Sequence, residues 1–245
     1  MIFWPGVWGF ADSTFNFTFL FAFLPLLLVD YQIRNDFGKR KFIRTFLYGF
    51  IALGIFNAGT TFWVWNAHWS GVLATVFING GLMSLVFACY SWVTRVHSKR
   101  IGYWTLVSGW LALEVFHESW ALSFPWLDLG HAFASSPLMI QWYEYTGHRG
   151  GTFWILIGNL TLFHAVIKSR VSEINGINGE FKFSFKNLKS SLKSYVTLMG
   201  LWLIPIMFSL FLYFNFSEDE MPERLGTVVQ PNVDPYHEKF EKSDQ

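Results

Sequence analysis

Long apolar runs separated by short polar connections dominate the chain from residue 14 to residue 214. A helix crossing a bilayer needs about 20 mostly apolar residues. Six runs meet or approach that length, at roughly 14–29, 45–67, 70–94, 101–121, 150–168 and 195–214. The first is short and carries Pro25, which predicts a tilt or a continuation into the flanking turn. A briefer amphipathic piece at 137–146 is too short to span and is expected at the interface. Inside lipid the backbone must satisfy its own polar groups, so each run is predicted to be helical.

The polar connections carry a pattern of their own. Arg34, Lys39, Arg40, Lys41 and Arg44 fall in the first, and Arg95, Lys99 and Arg100 in the third. Lys168, Arg170, Lys182, Lys186, Lys189 and Lys193 fall in the fifth. Fourteen of the 18 Lys and Arg thus occupy alternate connections, which six spans place on one face. The positive-inside rule makes that face cytoplasmic. The 122–149 connection and everything after 215 are then expected outside, with the C-terminal side facing the periplasm. The 171–193 stretch, with Asn175-Gly176, Asn178-Gly179 and alternating Phe181, Phe183 and Phe185, reads as a small hairpin or an interfacial loop.

Past residue 215 the pattern changes. Ser217-Glu218-Asp219-Glu220 is followed by a strand-like Thr227-Val228-Val229-Gln230. The expected division is a helix bundle over 1–215 and, over 216–245, a linker with the first strand of a soluble domain.

Composition agrees with the bundle. The chain is 52% hydrophobic and 20% aromatic, with only 14% charged residues, well below what a soluble surface requires. A net charge of +1 gives no reason to expect a nucleic-acid partner. The single cysteine, Cys89, excludes an intrachain disulfide and a Cys-rich metal centre, and reads as a small packing residue. Met1–Phe10 lack the basic start of a cleavable signal peptide. Glycine-rich phosphate loops, His-Glu-x-x-His and Gly-x-Ser-x-Gly do not occur, and no cofactor is expected.

Candidate chemistry gathers in the 122–149 connection. Phe124-Pro125-Trp126-Leu127-Asp128-Leu129-Gly130-His131, Gln141-Trp142-Tyr143-Glu144 and Thr146-Gly147-His148-Arg149-Gly150 combine turn formers with interfacial aromatics. They describe either a re-entrant loop lining a groove for lipid chains or an aromatic belt that anchors the bundle. Glu114, His117 and Glu118 share one face of the fourth run at i, i+3 and i+4. Ionisable groups at membrane depth are functional suspects, but this trio does not define a metal site. Asn57, Thr60, Thr61, Asn66, Asn79 and Asn159 fit interhelical hydrogen bonds.

Several blocks taken in order resemble the bacterial apolipoprotein N-acyltransferases. Trp4-Pro5-Gly6-Val7-Trp8-Gly9 and Phe23-Leu24-Pro25-Leu26-Leu27-Leu28 resemble the early proline turn and Pro-Leu-Leu helix of that family. Gly54-Ile55-Phe56 through Trp63-Val64-Trp65 is similar to its second block. Phe124-Pro125-Trp126-Leu127-x-Leu129-Gly130, with Gln141, Gly147-x-x-Gly150 and Gly158-Asn159, is the most specific match. Val228-Val229-Gln230-Pro231-Asn232-Val233, with Lys239-Phe240, resembles the opening strand of the nitrilase-type domain attached in the family.

The resemblance implies an all-α integral membrane bundle leading into an incomplete α/β nitrilase-type domain, in the inner membrane. It implies transfer of an acyl chain from a phospholipid to the N-terminal diacylglyceryl-cysteine of a lipoprotein. The Glu, Lys and nucleophilic Cys of the family find no match in this sequence, which is therefore expected to be a fragment, inactive alone, with no catalytic residue. The family pattern also places one more helix before Trp4. Substrate-binding roles are expected for Trp65, Phe124, Pro125, Trp126, Gly130 and Gln141 around the groove, with Tyr236 and Phe240 on the emerging arm. The residues alone leave two alternatives: a transport or binding protein with Glu114, His117 and Asn79 along its path, or a non-enzymatic membrane scaffold.

Overall fold

A computed structural model describes residues 18–66, 68–120, 122, 124–174 and 188–216. Among them every regular element is helical. The strand expected at 227–230 and the hairpin turns at 175–179 lie outside the described residues.

Helix α1 spans Leu24–Asn35 and opens with Pro25, whose missing N–H costs nothing in a first turn. Arg40, in the left-handed region at φ 58°, reverses the chain into α2, Lys41–Thr61, which tightens into a 3-10 turn at Phe62–Asn66. Next come α3 (Trp69–Ala74), one π turn (Thr75–Asn79) and α4 (Gly80–Val96), which together make a rod of 28 residues. Ser98 caps α5 (Lys99–Ser119) by accepting from the Ile101 amide at 3.3 Å. Three short 3-10 turns lead to α6, Tyr143–Ile174, broken at Gly147, and then α7, Leu188–Asn215, carries Pro205.

Among the described residues four helices are long and apolar enough to cross a membrane: Lys41–Asn66, Trp69–Val96, Tyr143–Ile167 and Tyr195–Asn215. They coincide with four of the six expected spans. Of the other two, the described part of the 14–29 run is a 3-10 turn at 18–20 and an α-helix from Leu24. That helix continues to Asn35, because Asp30 and Arg34, read as part of a polar connection, pair with each other at 2.7 Å inside the fold. The 101–121 run does form a 21-residue helix, α5, but Thr105, Ser108, Glu114, His117 and Glu118 dilute its apolar character. The 137–146 piece is a 3-10 turn at Pro137–Met139 followed by the first turn of α6.

Beside an apolar core the fold buries polar side chains and exposes large apolar ones. Asp30, Thr45, Asn57, Asn79, Ser84, Glu114 and Asn159 are buried, whereas Ile55, Ile204, Met207 and Phe214 are exposed. With lipid outside, association rests on close backbone approach and polar contacts between helices. The α2–α4 interface is the most extensive in the fold and shows both. A Cβ on Gly80 would stand 3.3 Å from the Gly54 Cα, and Gly49 faces Ser84. Beside this seam Asn79 Nδ2 donates to Asn57 Oδ1 at 2.7 Å, and the Thr61 and Thr75 hydroxyls meet at 2.8 Å.

The aromatic core packs Phe23 edge-on to Trp110 at 5.0 Å, and Trp154 against Phe133 and Trp202 at 5.2 and 5.3 Å. Asn159 fastens the start of the described chain to α6. Its Oδ1 accepts from the Phe23 amide at 3.0 Å, and its Nδ2 donates to the Phe19 carbonyl at 2.8 Å. Asn159→Leu strands both backbone groups in an apolar interior and should cost about 2 kcal/mol. Thermal unfolding in detergent measures it; an unchanged Tm would show that these bonds do not hold the segment.

Candidate functional site

The 122–149 connection is folded onto the ends of α5 and α6 by a small number of polar bonds. Glu114 Oε1 accepts from the Leu129 amide at 2.9 Å and from the Thr152 hydroxyl at 3.0 Å. Thr152 Oγ1 in turn accepts from the Gly130 amide at 2.9 Å, and the Tyr143 hydroxyl donates to the Gly130 carbonyl, also at 2.9 Å. Every polar backbone atom of Gly130 is thereby used. The residue sits so close to α6 that a Cβ would collide with the His148 carbonyl. Gly147 completes this approach: its φ of 65° turns the chain so that α6 restarts at His148.

These two glycines bring five polar side chains together. His148 Nε2 lies 3.2 Å from Asp128 Oδ2 and 3.7 Å from Glu118 Oε1, and its ring stands 4.6 Å from that of His131. Arg149 pairs with Glu118. One ligand atom each from Asp128, His131 and His148 lies within 4.8 Å of the others, a spacing that can hold a metal ion. Burial pushes the Asp128 carboxyl up to about 7, with Glu118 adding to the rise and Arg149 opposing it. Burial also lowers His131, helped by His148 and opposed by Glu118.

A separate apolar cavity of about 270 Å³ is lined among others by Val64, Ala74, Asn79, His117, Trp120 and Phe124. The Trp120 indole donates to His117 Nδ1 at 3.2 Å. An indole N–H is a donor only, so Nδ1 accepts and the neutral ring carries its proton on Nε2. That Nε2 and Asn79 Oδ1 are both buried without a hydrogen-bond partner. Phe124 is held beside them by its amide, which donates to the His117 carbonyl at 3.2 Å.

The residues named from the sequence are distributed between these features. Phe124 lines the cavity. Pro125 opens the 3-10 turn Pro125–Leu127, and Trp126 in that turn packs edge-on to Trp63 at 6.1 Å while remaining 55% exposed. Trp65 is 63% exposed on the 3-10 turn after α2. Gly130 belongs to the polar cluster, not to the cavity. Gln141 is tied to α7, its amide donating to Ser209 Oγ at 2.6 Å. Tyr236 and Phe240 lie outside the described residues. Of the trio on α5, Glu114 suspends the loop, His117 borders the cavity and Glu118 joins the cluster. Sequence reasoning missed Thr152 and Ser209, single hydroxyls in apolar runs, for which no local signal exists.

Comparison with known proteins adds an independent finding. The family described as the apolipoprotein N-acyltransferase N-terminal domain matches residues 6–161. A curated apolipoprotein N-acyltransferase from Chlorobaculum tepidum is 24% identical over 225 residues, which is 90% of this chain and 37% of that relative. The chain therefore spans about a third of the length of the curated relative it matches. No solved structure matches.

Proposed function

Because the chain belongs to the apolipoprotein N-acyltransferase family through its N-terminal domain, we propose that it forms the membrane part of an acyl transfer from a phospholipid to the N-terminal diacylglyceryl-cysteine of lipoproteins. In this reading α5 crosses the membrane along with the four longer apolar helices, and the bundle resides in the inner membrane with residues 216–245 on the periplasmic side. Those residues begin a nitrilase-type domain whose Glu, Lys and Cys carry the chemistry. The bundle's own task is to hold the donor lipid beside that domain, with the 122–149 connection facing the same compartment.

One observation supports the lipid-holding role above the rest. The cavity beside Phe124 is walled by apolar side chains, and its volume of about 270 Å³ falls near the lower end of ligand pockets. An acyl chain entering it leaves one apolar surroundings for another, and its ester end would meet the groups at the His117 end. Trp65, Pro125 and Trp126 with its partner Trp63 would then flank the approach. Gln141, Tyr236 and Phe240 would meet the lipid headgroup or the acceptor.

Ala74→Trp tests this directly, since Ala74 lines the cavity and an indole there would fill it. The protein is placed in vesicles whose phospholipid bears a photoreactive group on one acyl chain. Labelling of the peptide containing Phe124 should fall several-fold in the variant, while labelling of the exposed face around Ile55 stays constant. Equal labelling of the Phe124 peptide would remove the cavity from the reading. Sidedness is checked by cysteine accessibility: Lys39–Lys41 and Gln245 should label from opposite compartments, and labelling from one side would overturn the orientation.

A further inference from the structure

We propose that Asp128, His131 and His148 form a binding site for a borderline divalent transition cation, Zn²⁺ foremost, which clamps the 122–149 connection to the start of α6. This goes beyond the acyl-transfer reading and does not depend on it.

The geometry carries the argument. In tetrahedral zinc sites the metal–ligand bonds are about 2.1 Å, which sets ligand atoms about 3.4 Å apart. Asp128 Oδ2 and His148 Nε2 already stand at 3.2 Å, and all three ligand atoms fall within 4.8 Å of one another. In the clamp a rotation of the His131 side chain closes the remaining distance. Its ring lies 4.6 Å from that of His148, centroid to centroid.

Donor chemistry selects the cation. Two imidazoles with one carboxylate suit zinc and its neighbours, whereas calcium and magnesium require a shell of oxygens. Thiolate-dependent centres are excluded, because the lone Cys89 sits on α4. Glu118, 3.7 Å from His148 Nε2 and oriented by Arg149, is placed to supply a fourth oxygen or to hold a bound water.

The scaffold is built to keep these donors together. Asp128 and His131 are joined by one 3-10 turn, the His131 amide donating to the Asp128 carbonyl at 3.0 Å. His148 follows Gly147 at its positive φ, and Gly130 alone permits the His148 backbone to approach. Two glycine-dependent backbone features therefore converge where the three donors meet.

The test uses the full chain, purified in detergent without a polyhistidine tag and stripped of metal. Titration with Zn²⁺ alone should show one saturable equivalent. Co²⁺ should develop the visible ligand-field absorption of a four-coordinate nitrogen–oxygen site, lost on adding Zn²⁺. His131→Gln and His148→Gln should each weaken binding at least about tenfold, with helicity preserved by circular dichroism. Absence of saturable binding in the folded protein overturns the proposal. So does binding that is undiminished in the double variant, which would mark the cluster as a hydrogen-bonded Asp128–His148 pair and nothing more. If the variants do not fold, the cobalt spectrum of the unaltered protein decides: no ligand-field band at saturation overturns the proposal.

Discussion

Gly130→Ala is expected to loosen the 122–149 connection from the bundle and to destabilise the protein by about 3 kcal/mol, the upper end for overpacking. The added methyl runs into the His148 carbonyl, a backbone atom that cannot swing aside. To relieve the collision the loop must retreat from α6, and its polar bonds go with it. The Gly130 amide leaves Thr152 Oγ1 and the Tyr143 hydroxyl leaves the Gly130 carbonyl. The Leu129 amide then leaves Glu114, whose carboxylate stays buried with fewer donors. Gly81→Ala is the control: nothing lies within 4 Å of a Cβ there, and helix propensity favours alanine by about 1 kcal/mol. Thermal unfolding of the two variants in the same detergent should move in opposite directions. Equal shifts would mean that the connection is not packed as described.

Asp30→Ala should be comparably damaging, at about 3–5 kcal/mol, because it leaves a guanidinium buried without its counter-charge. Asp30 is fully buried and contacts Arg34 Nε at 2.7 Å, while Arg34 is only 10% exposed. The contact is ionic and not a directed hydrogen bond, so the guanidinium is also steadied by the Tyr90 hydroxyl at 3.3 Å and by its ring at 5.6 Å. Thr45 adds a weaker bond to Asp30 Oδ1 at 3.3 Å and links it to Ser91 on α4. Removing both charges, as Asp30→Ala with Arg34→Leu, should restore much of the loss, since an apolar replacement has no charge to desolvate. A double-mutant cycle of unfolding free energies measures the coupling. Strict additivity would show that the two charges do not interact.

The same pair explains where sequence reading fell short. Asp30 and Arg34 look like the polar edge of a span, and on that view the first helix ends near residue 29. Paired at i, i+4, they continue the helix to Asn35. Length and apolar content sufficed for the four membrane-length helices, because in lipid those two properties decide the structure. They also reach α5 as a helix, but not the fate of its two acidic residues, Glu114 and Glu118, whose partners are distant in sequence. The i, i+3, i+4 pattern of Glu114, His117 and Glu118 marked a functional-looking face correctly as a face. What each of them touches was not legible, since Thr152, His148 and Phe124 arrive through the turn at Gly147 and the loop at Gly130. Of the residues expected around one groove, Phe124 stands on a cavity wall, Trp126 at an exposed edge and Gln141 at an anchor on α7, for the linear motif records their order and not the direction in which successive 3-10 turns aim them.

One asymmetry between the last two helices bears on how the protein meets its surroundings. Over its span α6 is 56% buried, but α7 is only 11% buried. The 21-residue stretch Tyr195–Asn215 of α7 measures about 31 Å along the axis, close to the hydrocarbon thickness of an average bilayer. Among the described residues little of it is covered by the rest of the fold, and its footing runs through Leu198, Trp202 and Ser209. A thinner or thicker host membrane would change the inclination of α7 first, and Gln141, roped to Ser209, would register that change at the other end of the connection.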